Sequence, residues 1–427
     1  MIMSEIRAKG FKKLVTVNQA LKRFLGRIDK TPCPAEEVSV YNVFGRVLAE
    51  DVYSEVDVPP FDRAAMDGYA VRAADTQGAS LNSPVVLRVV GKAYAGKGFK
   101  GEVKEHEAVR ISTGAPMPKG ADAVVMVEYT KRVNDSIEVY KSVSPGENVS
   151  ERGEDIKKGE KILSQGKVLT PFDASLLVSL RVLKVKVRKK PVVALIACGE
   201  ELIDPLNAKF PSDLSDKIIE TNRTAFKGLT LKFGGVPLDL GIVSDDEKEI
   251  GERICAGLEK ADILVISGGT SVGEKDLVPK VVQELGEPGI VVHGVAISPG
   301  KPVALASIGG KPVVCLPGYP VAAIIDFILF VRPLIELKLG IKEKRIVPTV
   351  KAILASRVAS KTGTRHYVRV RLEEKNGKLY AYPVRISGSG ILSSLVKSDG
   401  ILIVPEDIEG YEKGEEVEII PFTTLLS

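Results

Sequence analysis

The sequence predicts a multidomain α/β plus β protein: a doubly wound α/β domain, a β-rich domain inserted near the N-terminus, a small α/β N-terminal region around that insertion, and a C-terminal β-barrel. Three observations carry this. At 427 residues the chain exceeds one ordinary core, and the usual domain length implies roughly three units. Between Pro191 and about residue 343, short β-branched runs alternate with stretches of helical spacing, the pattern of strands joined by helices. On both sides of that block the pattern is short alternating segments punctuated by Gly and Pro, which reads as β structure. The expected units are residues 1–52 completed by 153–190, the insertion 53–152, the α/β domain 191–343 and the barrel 344–427.

Taken in order, Val17, Ala20, Leu21, Phe24 and Ile28 form one helical stripe behind Thr16, a suitable N-cap, so residues 16–28 read as a packing helix. Strands are expected at 85–90, 108–111 and 123–128. Two dense loops lie among them, Phe61 to Ala70 and Ser112 to Pro118, and Arg152-Gly-Glu-Asp155 closes the insertion. Lys167 to Leu169 reads as a strand, Ala174 to Leu180 as a helix and Leu183 to Val187 as a further apolar segment. The α/β block predicts strands at 192–197, 236–242 and 263–266, with helices at about 222–233, ending at Gly234-Gly235, and at about 246–258. A helix from about Asp276, strands near 290–295, 303–307 and 312–315, and a helix from Val321 follow. Beyond 344, His366 to Leu372 and Leu379 to Val384 flank Asn376-Gly377, a strong hairpin signal.

Composition narrows the function. The formal charge is only +5 and no basic run or base-stacking motif is present, so nucleic acid is not an expected partner. Cys33, Cys198, Cys255 and Cys315 are far apart and mostly in apolar surroundings, which suits packed thiols and a cytoplasmic location. The longest apolar tract, Val321 to Val331, is broken by Asp326 and is too short to span a bilayer, so no membrane association is expected. Glu and Lys are abundant while Gln occurs only 4 times, a balance that leans towards a thermophile.

Ligands of a doubly wound sheet sit beyond the carboxyl ends of its strands. The loops expected there are Cys198 to Glu201, Ser244 to Asp246, Ser267 to Asp276, Ser298 to Lys301 and Leu316 to Pro320. Ser267-Gly268-Gly269 can be a plain tight turn. Followed by a helix, it also offers free N–H groups and a positive helix end to a phosphate. Glu200, Glu201, Asp245, Asp246, Glu274 and Asp276 would collect at the same end, a repulsive cluster unless a cation sits in it; oxygen donors alone point to Mg²⁺. Asp245 or Asp246 serves equally well as a helix cap. Lys301, between Gly300 and Pro302, suits either an oxyanion or solvent. His106, His293 and His366 are too scattered for a zinc site, and no Ser–His–Asp order is evident.

With Asp57-Val-Pro-Pro-Phe-Asp, Ala65-Met-Asp-Gly-Tyr-Ala, Ser112-Thr-Gly-Ala-Pro, Arg152-Gly-Glu-Asp, Thr221-Asn-Arg, Ser267-Gly-Gly-Thr-Ser-Val-Gly, Pro299-Gly-Lys-Pro and Leu316-Pro-Gly in this order, nearly the whole chain resembles the MoeA-type molybdopterin molybdenumtransferases, which include the E domain of gephyrin. The resemblance implies an elongated homodimer with a shared active site, Asp67 and Thr113 of one subunit completing the site of the other. It implies cleavage of the phosphoanhydride of adenylylated molybdopterin, insertion of molybdate or tungstate into the dithiolene and release of AMP, with Mg²⁺. By motif, Glu201, Asp245 and Asp276 would be catalytic and hold the metal. Gly268, Gly269, Ser271 and Gly273 would cradle the substrate, Pro317 and Pro320 would shape the site, and Lys301, Arg369 and Ser389 would meet the oxyanion. A molybdopterin adenylyltransferase is the implied donor of substrate. Two alternatives share some of these features, an adenylyltransferase built on the same Ser-Gly-Gly loop and a non-enzymatic pterin-binding scaffold. The attached β and barrel domains disfavour the first, and the lack of a long linker disfavours the second. Departures from the bacterial pattern are Ser298 in place of Lys, Tyr319 in place of Asn, and Ala65 where Ser is common.

Overall fold

The computed structural model describes residues 14–208, 216–270, 277–343, 346–385 and 388–426. Its first helix, Val17–Leu25, starts where Thr16 and Gln19 cap one another reciprocally, each side chain accepting the other's backbone N–H at 3.3 Å. The apolar stripe Val17, Ala20 and Phe24 is buried in the core of the α/β domain, so the helix serves a unit that begins far downstream. A second small core joins Val43 and Leu48 to Leu169, Leu177 and Val187, residues from both sides of the β-rich segment. There strand Ala35–Ser39 pairs antiparallel with Lys184–Arg188, and Val52–Tyr53 with Lys161–Leu163. The strand expected at 167–169 is absent. Those residues instead make a single bridge to 46–48, Leu48 N–H donating to Lys167 and Leu169 N–H to Arg46, because the pairing stretch lies four turn residues earlier.

The β-rich segment forms a six-stranded mixed sheet in the order Ala123–Met126, Gly68–Val71, Glu107–Ile111, Val85–Ala93, Ser136–Val139, Thr130–Val133. In the α/β unit we number β1 (Val192–Cys198), α1 (Asn222–Lys232), β2 (Val236–Val243), α2 (Glu247–Lys260), β3 (Ile263–Ser267), α3 (Leu277–Glu284), β4 (Pro288–His293), β5 (Ala304–Ile308), β6 (Lys311–Leu316) and α4 (Pro320–Asp326). The sheet order is β2-β1-β3-β6-β5-β4. All strands are parallel except β5, which runs against both neighbours. Its amino end therefore lies level with the carboxyl end of β6, Ala304 opposite Cys315, which brings the 298–303 loop to the ligand-binding edge.

Five strands of the C-terminal unit close on themselves, Arg365–Lys375 pairing with both Lys378–Arg385 and Gly400–Val404, while Val350–Leu354 and Glu416–Pro421 complete the ring. Closure leaves no free edge in that ring. The short strand Ile297–Ser298 adds to the barrel strand Arg365–Lys375, Ile297 opposite Arg365 and Ser298 opposite His366, so the α/β loop is clamped to the barrel by backbone pairing. No helix among the described residues is long and apolar enough to cross a membrane.

Candidate active site

Two adjoining clefts open along the sheet edge. The first, of about 710 Å³, is lined by Cys198, Glu201, Asn222, Ser267 to Thr270 and the 317–320 loop. Its floor needs glycine. Gly268 has φ +95°, and a Cβ there would lie 2.1 Å from the Cys198 carbonyl oxygen, so only glycine lets the chain leave β3 across the end of β1. Ser271, Gly273, Glu274 and Asp276 lie outside the described residues, and α3 is described from Leu277.

The alternatives for the two aspartates separate. Asp246 is the N-cap of α2, accepting the Glu249 N–H at 2.8 Å. Asp245 instead sits against Cys198, a residue of the cleft lining, whose thiol donates to Oδ1 at 3.3 Å, and the Glu200 N–H donates to Oδ2 at 3.4 Å. Burial, then that hydrogen bond and the charges of Asp245 and Glu201, push the Cys198 thiol far up, so it acts as a neutral donor and not a thiolate. Glu201 folds against Gly199, where a Cβ would meet both carboxyl oxygens at 2.8 Å. Glu200 contributes only backbone, its carbonyl accepting from Lys217 at 2.7 Å. Among the described residues no group of three metal-ligating side chains converges. The described donors are two carboxylates flanking one neutral thiol, an oxygen set that fits a hard cation such as Mg²⁺ and not zinc.

Asn222 and Arg223 were not among the expected site residues. Asn222 Nδ2 donates to the Gly318 carbonyl at 2.9 Å and fixes the 317–320 loop, while its buried Oδ1 has no partner among the described residues and stands as an acceptor in the cleft wall. Arg223 binds Glu220 at 3.1 Å, Asp204 at 2.7 Å and Asp239 at 2.5 Å, tying the wall at 218–222 to β2. Their sequence signal was Thr221-Asn-Arg, one of the motifs of the resemblance, to which no role in the site was attached.

The second cleft, of about 380 Å³, is bounded by Ser298 to Pro302, Pro317, Tyr319, Lys361, Thr364, Arg369 and Ser389. Lys301, Arg369 and Ser389 are thus brought together, and Lys361 and Thr364 join them from a barrel turn that no motif marked. Arg369 is 1% exposed; burial first, and then the charge of Arg385, pull its pKa down, a setting that an anion would relieve. The Ser389 carbonyl accepts the Val321 N–H at 2.9 Å, which closes the cleft across the two units. Pro302, Pro317 and Tyr319 line both clefts, and Pro320 lines the first.

Asp67 and Thr113 do meet, Asp67 Oδ1 accepting the Thr113 N–H at 2.7 Å and its hydroxyl at 3.1 Å. The N–H first, then the hydroxyl, holds the Asp67 carboxyl below its usual range. Thr113 lines a third cleft with Arg63, Ala65 and Asp155, which shares no lining residue with the other two.

Comparison with known proteins agrees along the chain. Residues 15–180 match the MoeA N-terminal region (domain I and II), 194–337 the family described as "Probable molybdopterin binding domain", and 351–422 the MoeA C-terminal region (domain IV). The molybdopterin molybdenumtransferase of Haemophilus influenzae is 34% identical over 97% of this chain and 100% of its own length. That of Bacillus subtilis is 34% identical over 90% of this chain and 89% of its own. A crystal structure of the molybdopterin biosynthesis MoeA protein of Pyrococcus horikoshii superposes with a TM-score of 0.82 at 38% identity, covering 95% of this chain and 99% of that one. The chain therefore belongs to the MoeA family of molybdopterin molybdenumtransferases, enzymes of molybdenum cofactor biosynthesis.

Proposed function

We propose that the two adjoining clefts hold the two substrates of one insertion reaction, adenylylated molybdopterin along the Gly268-Gly269 cleft and molybdate or tungstate among Lys301, Lys361, Arg369 and Ser389. The observation that carries this reading is the common wall Pro302, Pro317 and Tyr319, which sets an acidic, glycine-floored cleft directly beside a cationic one. Glu201, Asp245 and Asp276 would hold Mg²⁺, which when bound offsets negative charge at the phosphoanhydride. Cys198 and the Glu200 N–H orient Asp245 for that role. The cationic cleft also favours insertion over adenylyl transfer, which has no use for a second anion site.

In this reading the enzyme is a homodimer in which Asp67 and Thr113 reach the partner's clefts. Support comes from the cleft that Thr113 lines, which shares no lining residue with the α/β clefts, and from exposed Tyr41, Phe44 and Phe172, apolar surface suited to a subunit interface. The four free cysteines agree with a reducing, cytoplasmic setting, and a molybdopterin adenylyltransferase is the donor of substrate in this reading. The test is to incubate the purified protein with adenylylated molybdopterin, Mg²⁺ and each oxyanion, following AMP and pterin-bound metal. The expected result is oxyanion-dependent AMP release matched by bound metal. AMP release with no metal inserted would overturn the reading.

A further inference from the structure

We propose that Asp326 is a positioning residue that makes oxyanion capture proton-linked: its neutral carboxyl backs Gly300 in the cationic cleft, and ionisation of that carboxyl drives the anion out. The proposal rests on the reading of that cleft as the oxyanion site. Asp326 is the one charged residue in the apolar tract Val321 to Val331, at the end of α4 where the helix widens into the π-turn Phe327–Val331. It is completely buried, and neither carboxyl oxygen has a hydrogen-bond partner among the described residues. A buried charge with no partner costs more than holding a proton, so the group is neutral. Burial is the sole cause that raises its pKa, well above the ordinary carboxylate range.

What this carboxyl touches is the oxyanion loop. Gly300 has φ +116°, and a Cβ there would lie 2.1 Å from Asp326 Oδ1 and 2.6 Å from Oδ2, so the Gly300 backbone rests on the carboxyl and no side chain fits between them. Gly300 lines the cationic cleft with its neighbour Lys301, and so does Ala322, one helical turn before Asp326. Asp326 thus stands directly behind the cleft wall. Among the described residues Asp326 acts on the Tyr367 phenol of the barrel strand Arg365–Lys375, which burial pushes up to about 12 and which is also neutral. Arg365 and Glu406, which act on Tyr367 as well, pair at 3.1 Å through Oε2, while Glu406 Oε1 is buried with no hydrogen-bond partner among the described residues. The cations of the cleft, Lys301, Lys361 and Arg369, complete the charges nearby. With Asp326 neutral the wall adds no negative charge to a dianion. Once ionised, it would oppose that dianion across one glycine with little water between them.

The full-length protein is titrated with molybdate alone by calorimetry from about pH 6.5 to 9.5, a range in which molybdate stays a dianion, and a one-proton linkage lowers affinity by at most about tenfold per pH unit. The parent is expected to lose affinity at the alkaline end beyond the loss shown by Asp326→Asn, which keeps the shape and stays neutral; deprotonation of Lys301 would weaken both alike. Gly300→Ala should weaken binding at every pH, since its Cβ displaces the loop from the carboxyl. Infrared spectroscopy should find a protonated carboxyl stretch in the parent that Asp326→Asn lacks. Matching pH profiles for parent and Asp326→Asn, or no such stretch in the parent, overturn the linkage. If molybdate binds and Arg369→Gln leaves its affinity intact, the oxyanion reading of the cleft falls as well.

Discussion

The two adjoining clefts hold their charges in opposite ways. In the glycine-floored cleft, groups of the wall are held by protein partners behind it: Glu220 by Arg223, which also binds Asp204 and Asp239, and the Cys198 thiol by Asp245. In the cationic cleft Lys301 and Lys361 have no ion-pair partner among the described residues, and Arg369 is buried in the field of Arg385. A wall held by its own partners orients a large substrate at little cost in reorganisation, whereas Lys301 and Lys361, with no ion pair among the described residues, draw a counter-ion. One sheet edge thus carries a positioning device beside an anion trap, and three residues, Pro302, Pro317 and Tyr319, keep the two apart.

The largest way to break the comparison is to remove the clamp of the first cleft. Arg223→Ala leaves Glu220, whose side chain is 3% exposed, without its cation, and a broken buried pair costs about 3–5 kcal/mol. Urea unfolding should show that loss. A change below about 1 kcal/mol would mean that the network is relaxed by solvent. The same network gives acid sensitivity. Burial alone would raise the pKa of Asp239, but Lys227, the Gly241 N–H and Arg223 bring it down to about 2, so its contribution is present above the ordinary aspartate value, near pH 4, and is lost as pH falls towards 2. Asp239→Asn should abolish that part of the acid dependence.

Next in size is the chemistry proposed for the carboxylates. Glu201→Gln and Asp276→Asn should slow AMP release by about a hundredfold or more while pterin binding changes little, because carboxylates that organise Mg²⁺ act on charge developing in the transition state. Release at the parent rate in both variants would remove the metal assignment.

How much of this was legible in the sequence depends on what kind of signal each part leaves. The strand and helix order from β1 to α4 was readable because buried β-branched runs and helical stripes are local patterns, and the capping box at Thr16 is local too. The reversed direction of β5 was not, since a strand's direction depends on which neighbours it pairs with and not on its own composition. The use of Val17, Ala20 and Phe24 in a core nearly two hundred residues away was equally hidden. In the site, the glycine loops and Lys301 were marked by dense local motifs. Lys361 and Thr364 were not, because they arrive from a barrel turn only after Ser298 has paired with His366. Asp326 read merely as an interruption of an apolar tract; its contact with Gly300 exists only when α4 and the 298–302 loop are side by side.

Both clefts lie within one chain, whereas Thr113, which Asp67 holds by two hydrogen bonds, lines a cleft apart. If those two residues serve the partner subunit, then inactive Asp67→Asn and inactive Asp245→Asn proteins, refolded together, should recover a minority of parent activity, because one composite site of each heterodimer is intact. Confirmed heterodimers with no activity would confine each site to its own chain.

The smallest effect sharpens the contrast in charge. Ser298 stands in the cationic cleft, half-buried and pinned by pairing with His366. A hydroxyl gives the bound oxyanion at most one donated hydrogen bond and no charge, while Lys301 and Lys361 supply the charge from the loop and the barrel turn. Molybdate and tungstate are tetrahedral dianions of nearly equal size, so an added cation should favour both equally. Ser298→Lys is expected to tighten each by about tenfold, the value of a partly exposed charge–charge contact of about 1 kcal/mol or somewhat more, and to steepen the loss of affinity with salt. Calorimetric titration of parent and variant with both oxyanions at two ionic strengths reads this directly. Parallel tightening would identify the cleft as an anion trap tuned by charge count, in contrast to its preorganised neighbour. Strong preference of the variant for one metal would show instead that the geometry of the 298–302 loop, set by its contact with Asp326, does the selecting.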